Sequence, residues 1–227
     1  MRKKYLRCWP KADIFAPGHW TACDGVAYEG AVTAKWSSGW QGIKVIGIQV
    51  MEFSHRLATL ADVSALQRVM DAAIRGLLPQ FLAPEQVEAS FAVMGLDTQL
   101  IADGTYFILE QDGQIAGCGG WSRRATLFGG NHTAGRDTRL LDPAAEPARI
   151  RAMYTAPTFV RRGVGRAIIA LCEAGARAEG FTRAELGATA GGRPLYRACG
   201  YVEIEKLDVV TPGGVTVPIT RMGKSLI

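Results

Sequence analysis

The stretch of this chain whose residue types and spacing could do chemistry is Arg161-Arg162-Gly163-Val164-Gly165-Arg166. Its two glycines stand where an extended run gives way to a helical pattern. The first amides of a helix have no intrahelical acceptor, and the helix dipole favours negative charge at that end. Glycine lets an anion reach those amides without meeting a Cβ, and the arginines add positive charge. The chemistry suggested is the cradling of a pyrophosphate. No Gly-Lys-Ser/Thr follows, which excludes a Walker A loop. A dinucleotide fingerprint asks for a small residue at position 168, which is Ile168. The same residues also suit the solvated start of a surface helix. Taken alone, the loop leaves those two readings even.

Specific elements must position this loop. Residues 148–155 (ARIRAMYT) have strand character, and Pro157 breaks the run. From Gly163 onward, Val164, Ala167, Ile168, Leu171, Cys172 and Ala178 fall at helical spacing, and Gly180 sits where a C-terminal cap belongs. Some thirty residues after the turn, Pro194-Leu195-Tyr196-Arg197-Ala198-Cys199-Gly200-Tyr201 reads as a short helix closed by Gly200, with a strand from Tyr201.

The glycine turn and this short helix together resemble the GCN5-related N-acetyltransferase superfamily, over roughly Met51 to the C-terminus. The resemblance implies an acyl-CoA N-acyltransferase fold of the α/β class. Such a fold has a central, mostly antiparallel mixed sheet, a splayed central strand pair and helices on both faces. It implies acetyl-CoA as co-substrate, with the pyrophosphate on Arg161, Arg162, Gly163, Val164, Gly165 and Arg166. The splay would leave main-chain groups of Met153, Tyr154 and Thr155 for the pantetheine arm. Tyr196 would meet the thioester sulfur as the acid, and no metal is implied. The family's R/Q-x-x-G-x-G/A loop begins here with Val160, and Gly191 stands where many members carry Asn.

The implied reaction is transfer of the acetyl group to an amine of a small molecule or peptide by direct attack in a ternary complex. An acyl-CoA-binding sensor without catalysis is the alternative. A phenol near ~10 facing a thiolate near ~8.5 makes full proton transfer uphill by about 2 kcal/mol, so a hydrogen bond that matures as charge develops is expected. No base stands out, because Glu146, Asp142 and His132 all lie in a long loop. Cys199, with no histidine nearby in sequence, reads as packing. Trp121 and the arginines at 123, 124, 136 and 139 sit where the family's acceptor cleft tends to lie. They would either select an anionic acceptor or pair with the loop's own acids.

Composition narrows the class. The chain has 227 residues, 48% of them hydrophobic, and a net charge of +5. Residues 1–50 hold seven basic and three acidic residues, leaving nineteen and eighteen for the remainder. The excess charge therefore belongs to the first fifty residues, and neither nucleic acid nor a membrane is expected as a partner. A homodimer is compatible with the composition. Five scattered cysteines (Cys8, Cys23, Cys118, Cys172, Cys199) show no zinc spacing and suit a reducing, cytoplasmic setting.

Residues 1–50 hold four of the five tryptophans but no sustained period, with one strand suggested over 42–51. They are expected to be a poorly ordered extension, consistent with a misassigned translation start, ahead of an acetyltransferase domain at 51–227. From there the pattern predicts a strand over 53–58, a capping box at 59–62, and a helix with a stripe from Val63 to Leu77. A second helix over 84–94 and a hairpin of 105–111 with 114–121 follow. After the long connection 122–147 come the strand, loop and helix already described. A strand over 183–188, the Tyr196 helix, and a hairpin of 201–210 with 215–222 complete the domain.

Overall fold

The computed structural model describes residues 53–133 and 135–227, together with an antiparallel pair of short strands, β1 (Trp20–Thr21) and β2 (Ala27–Tyr28). The chain divides into two units, Met1–Ile48 and Gln49–Ile227. Apart from the strand pair, the expectations for residues 1–50 lie outside the described residues.

The second unit runs β3 (Ser54–Leu57), α1 (Val63–Leu77), α2 (Pro84–Val93), α3 (Thr98–Ala102), β4 (Tyr106–Gln111) and β5 (Gln114–Ser122). It continues with β6 (Ala148–Thr155), α4 (Val164–Ala178), β7 (Arg183–Ala188), α5 (Arg193–Ala198), β8 (Val202–Val210) and β9 (Thr216–Ser225). The seven strands form one sheet in the order β3-β4-β5-β6-β7-β9-β8. Every neighbouring pair is antiparallel except β6 and β7. This is the mixed, mostly antiparallel sheet expected.

Local chemistry accounts for the elements. Asp62 accepts hydrogen bonds from the Thr59 amide and hydroxyl, both at 2.8 Å, and Arg56 grips the same carboxylate through both terminal nitrogens. The start of α1 is therefore tied to β3. Asp112 and Gly113 both take positive φ, as a two-residue type I′ hairpin needs. On one face of the sheet, α1 to α3 bury Leu66, Ile74, Val87 and Leu100 against Tyr106 and Ile108. On the other, α4 buries Val164, Ile168, Ile169, Cys172 and Ala176. The start of that helix lies close because β5 presents glycines, Gly117 and Gly119, beneath it. A Cβ at Gly117 would fall 2.5 Å from Val164, and one at Gly119 would fall 2.8 Å from Ile168.

Two features differ from the sequence expectation. The helix α3 fills a stretch assigned to no element, capped by the Asp97 carboxylate, which accepts from the Gln99 amide at 3.0 Å. The closing hairpin does not simply extend the sheet: its second strand, β9, returns between β7 and β8. Buried Val217, Ile219 and Met222 lie on β9, whereas β8 at the edge exposes Val202 and Ile204. Apolar content decides which strand goes inside.

Candidate active site

The site begins where β6 and β7 part. Only Ala148, Arg149 and Ile150 pair with β7, although β6 runs on to Thr155. Tyr154 and Thr155 pair with Cys118 and Gly117 of β5, while Met153 has a register partner in neither neighbour. The cause is a bulge. Between the pairs Gly120–Arg151 and Cys118–Tyr154, two β6 residues oppose the single Gly119, and Ala152 takes φ 51°. Tyr106, fully buried, donates its hydroxyl to the Ala152 carbonyl at 2.7 Å and so holds the bulge.

Removing that hydroxyl leaves a part-buried carbonyl without its donor. Tyr106→Phe is expected to lower the unfolding free energy by about 1–3 kcal/mol. Urea denaturation measures this, and a change within about 0.5 kcal/mol, the range of ordinary surface substitutions, would show that the hydroxyl does not fix the bulge.

Beyond the bulge the chain passes through a 3-10 turn, Pro157–Phe159, and Val160 in extended backbone to the glycine loop. Arg161 takes φ 64° and Gly163 φ 89°, and α4 begins at Val164. The first bond back into this turn runs from the Ala167 amide to the Gly163 carbonyl at 3.0 Å. The amides of Val164, Gly165 and Arg166 therefore have no acceptor within the helix. Arg161, Arg162 and Arg166 are exposed, and none lies within ion-pair distance of a carboxylate among the described residues. Arg162 lies over the Phe159 ring at 5.2 Å.

The two glycines also have distinct tasks within the protein itself. A Cβ at Gly163 would meet nothing within 4 Å, so this glycine serves the left-handed backbone. A Cβ at Gly165 would fall 2.5 Å from Cδ2 of Leu195. Gly165 thus lets α5 pack against α4 and sets Tyr196 beside the loop. Gly191, the position of the family's Asn, lies against the Phe81 ring, 3.2 Å from a would-be Cβ. A longer side chain there would have to displace that ring.

Tyr196 is buried, packs edge-to-face on Tyr201 with centroids 6.1 Å apart, and makes no hydrogen bond through its hydroxyl among the described residues. It lines a small cleft, about 70 Å³, with Arg151, Met153 and Tyr154 of β6, Gly187 of β7 and Thr189. The cleft occupies the opening between the parting strands. Burial pushes the Tyr196 phenol well above its ordinary value, and the nearby Cys172 and Cys199 thiols add to the effect. The phenol is therefore a proton donor throughout the neutral range. Burial also raises the half-buried Cys199 thiol, which keeps it protonated and fits packing rather than nucleophilic work.

The loop residues resolve as a structural network. Arg123 pairs with Glu179 at 2.8 Å, Arg124 with Asp103 at 2.8 Å, Arg136 with Asp97 at 2.7 Å and Arg139 with Glu146 at 2.7 Å. Trp121 is core, edge-on to Phe181 and against Gly175. Of the three base candidates, Glu146 is held at about 2 by its Arg139 partner, and neither Asp142 nor the exposed His132 lines the cleft. Among the described residues that line the cleft there is no carboxylate, and Arg151 is the one ionised side chain. Sequence reasoning missed Arg151, Asp97 and Tyr106, because nothing in their spacing reports that they meet. Among the described residues, no group of three or more His, Cys, Asp or Glu is placed to hold a metal, and no helix is long and apolar enough to cross a membrane.

This geometry agrees with the comparisons. The model of the acetyltransferase (GNAT) family matches residues 70–201, more than half of the chain, and the chain belongs to that family. Among solved structures it is similar to a GCN5-related N-acetyltransferase from Rhodopseudomonas palustris, at 22% identity and TM-score 0.58, covering 79% of this chain and 99% of that one. It is similar to a ribosomal-protein-alanine N-acetyltransferase from Brucella melitensis, at 20% identity and TM-score 0.52, covering 76% and 99%. It also resembles YncA from Salmonella typhimurium, solved with its cofactor acetyl-CoA, at 17% identity and TM-score 0.50, covering 78% and 95%. At these identities the structures report the fold alone. No curated protein sequence matches the chain.

Proposed function

We propose that this chain is an N-acetyltransferase that transfers the acetyl group of acetyl-CoA to an amine of a small molecule or peptide by direct attack in a ternary complex. One observation carries the reading. The end of β6 that β7 leaves free and the Tyr196 phenol line one cleft, and Leu195 beside Tyr196 packs against Gly165 of the glycine loop. The residues fit the co-substrate: open helix amides and three arginines without carboxylate partners suit a pyrophosphate, and a strand edge without a neighbour suits an amide-rich arm. A bound family structure with acetyl-CoA is consistent with this.

Each group then has a task. The amides of Gly163, Val164, Gly165 and Arg166, with the Arg161, Arg162 and Arg166 charges, hold the diphosphate. Main-chain groups of Met153, Tyr154 and Thr155 orient the arm. Tyr196 donates a hydrogen bond to the departing sulfur. Its raised pKa makes complete transfer more uphill than the ~2 kcal/mol of an ordinary phenol, so the bond matures only as thiolate charge develops. The free thiols Cys118, Cys172 and Cys199 suit a reducing, cytoplasmic setting.

With no carboxylate lining the cleft, the acceptor must arrive as free amine or lose its proton to water. The rate kcat/KM for the acceptor is therefore expected to rise with pH and level off near the amine's own pKa. Across amines of different basicity the inflection should move with the amine. An inflection that stays at one pH would mean that a protein base sets it.

Coenzyme A binding, measured beside thiol release over an amine panel, tests the assignment. Binding with release supports transfer. Binding without release for any amine would favour the second reading, a catalytically silent acyl-CoA sensor, for which the missing base speaks.

A further inference from the structure

The cleft beside Tyr196 carries a positive charge that the protein leaves unbalanced. Asp97, fully buried, accepts from Arg136 at 2.7 Å through both oxygens and from Arg151 at 2.6 Å. Two guanidinium groups thus share one carboxylate. The Arg151 side chain is 2% exposed and that of Arg136 17%. The other acceptors for this pair are carbonyls, Gly129 for Arg151 at 2.9 Å and Gly130 for Arg136 at 3.5 Å. The Nε–H of each arginine is buried with no acceptor. Arg124 of the same loop has its own carboxylate, Asp103.

A buried charge is costly unless paired, and here two guanidinium groups, one of them almost fully buried, have a single carboxylate between them. Of the two, Arg151 lines the cleft, as its one ionised residue. We propose that this surplus selects the acceptor: an amine that bears a carboxylate in the same small molecule, the carboxylate held toward Arg151 and the amine toward the sulfur beside Tyr196. One surplus positive charge matches a carboxylate monoanion better than a phosphate dianion. Burial pushes the Arg151 guanidinium down, Asp97 opposes this, and the Arg136 charge adds to the downward push.

This deepens the acetyltransferase reading and rests on it for the amine, though the anion site is tested separately. The probes are 4-aminobutyrate and 4-aminobutyramide, compared in kcat/KM at equal concentrations of free amine. The carboxylate is expected to be favoured about 10- to 100-fold, the effect of one charge-assisted bond. In Arg136→Gln the remaining Arg151–Asp97 pair is neutral, and the preference should fall at least tenfold with the melting temperature little changed. Butyrate, which has no amine, should bind the parent in ligand-observed NMR and lose affinity in Arg136→Gln. That result would support the anion site even if no amine were acetylated. Transfer with equal rates for both probes and no butyrate binding would overturn the proposal while leaving the acetyltransferase assignment intact. Tighter binding of inorganic phosphate than of butyrate, or a preference unchanged in Arg136→Gln, would also overturn it.

Discussion

Tyr196→Phe is expected to lower the single-turnover rate of acetyl transfer by roughly 10²–10⁴, the range for a lost general acid, while coenzyme A affinity and melting temperature barely move. The Tyr196 hydroxyl has no hydrogen-bond partner among the described residues, so its removal sacrifices no internal bond, and the ring keeps its contact with Tyr201. Burial holds the phenol protonated far above neutral pH. Tyr196 therefore contributes no titration below about pH 10, and the rise of rate with pH belongs to the amine. A donor whose thiol leaves more easily needs less help, so the deficit of Tyr196→Phe should shrink with such a donor. Equal rates for parent and variant would assign the phenol to packing and leave the acceleration to positioning alone.

Gly163→Val is expected to weaken coenzyme A binding by about a hundredfold or more. A β-branched residue is an outlier at positive φ, with strain on the order of 1–3 kcal/mol, so the loop relaxes and turns its amides away. Losing two or three amide bonds to a charged ligand, at about 1.5–3 kcal/mol each, sets the size of the effect. The fold should survive, since a Cβ at this position meets nothing within 4 Å. Gly165→Val should behave differently. Its side chain runs into Leu195, so α5 shifts and the transfer rate falls together with affinity. Calorimetry with coenzyme A separates the two, and a folded Gly163→Val that binds as the parent does would move the diphosphate site elsewhere.

The route from sequence to site explains why some of this was legible in advance. The 3.6-residue period identified α1 and α4 nearly to the residue, because a half-buried helix must repeat its apolar positions, and strand character bounded by Pro157 identified β6. The Gly-x-Gly turn and the Tyr196 helix carry their geometry locally, in φ angles and caps, and both were visible. Such features are set by a few consecutive residues.

The sequence alone thus determined most of the strands and helices, though not α3, together with the fold family and the loop and tyrosine of the candidate site. Only the tertiary structure decided that β9 lies inside β8, that a tyrosine on β4 holds the bulge of β6, and that Gly165 serves the contact of two helices. It alone decided that Arg123, Arg124 and Arg139 each have a carboxylate partner while Arg136 and Arg151 share Asp97. Arg151 lies 54 positions from Asp97 and Arg136 lies 39 from it. No period or local motif links residues so far apart. Their meeting is fixed by strand register and by the packing of α3 against the sheet, and those depend on every buried side chain at once.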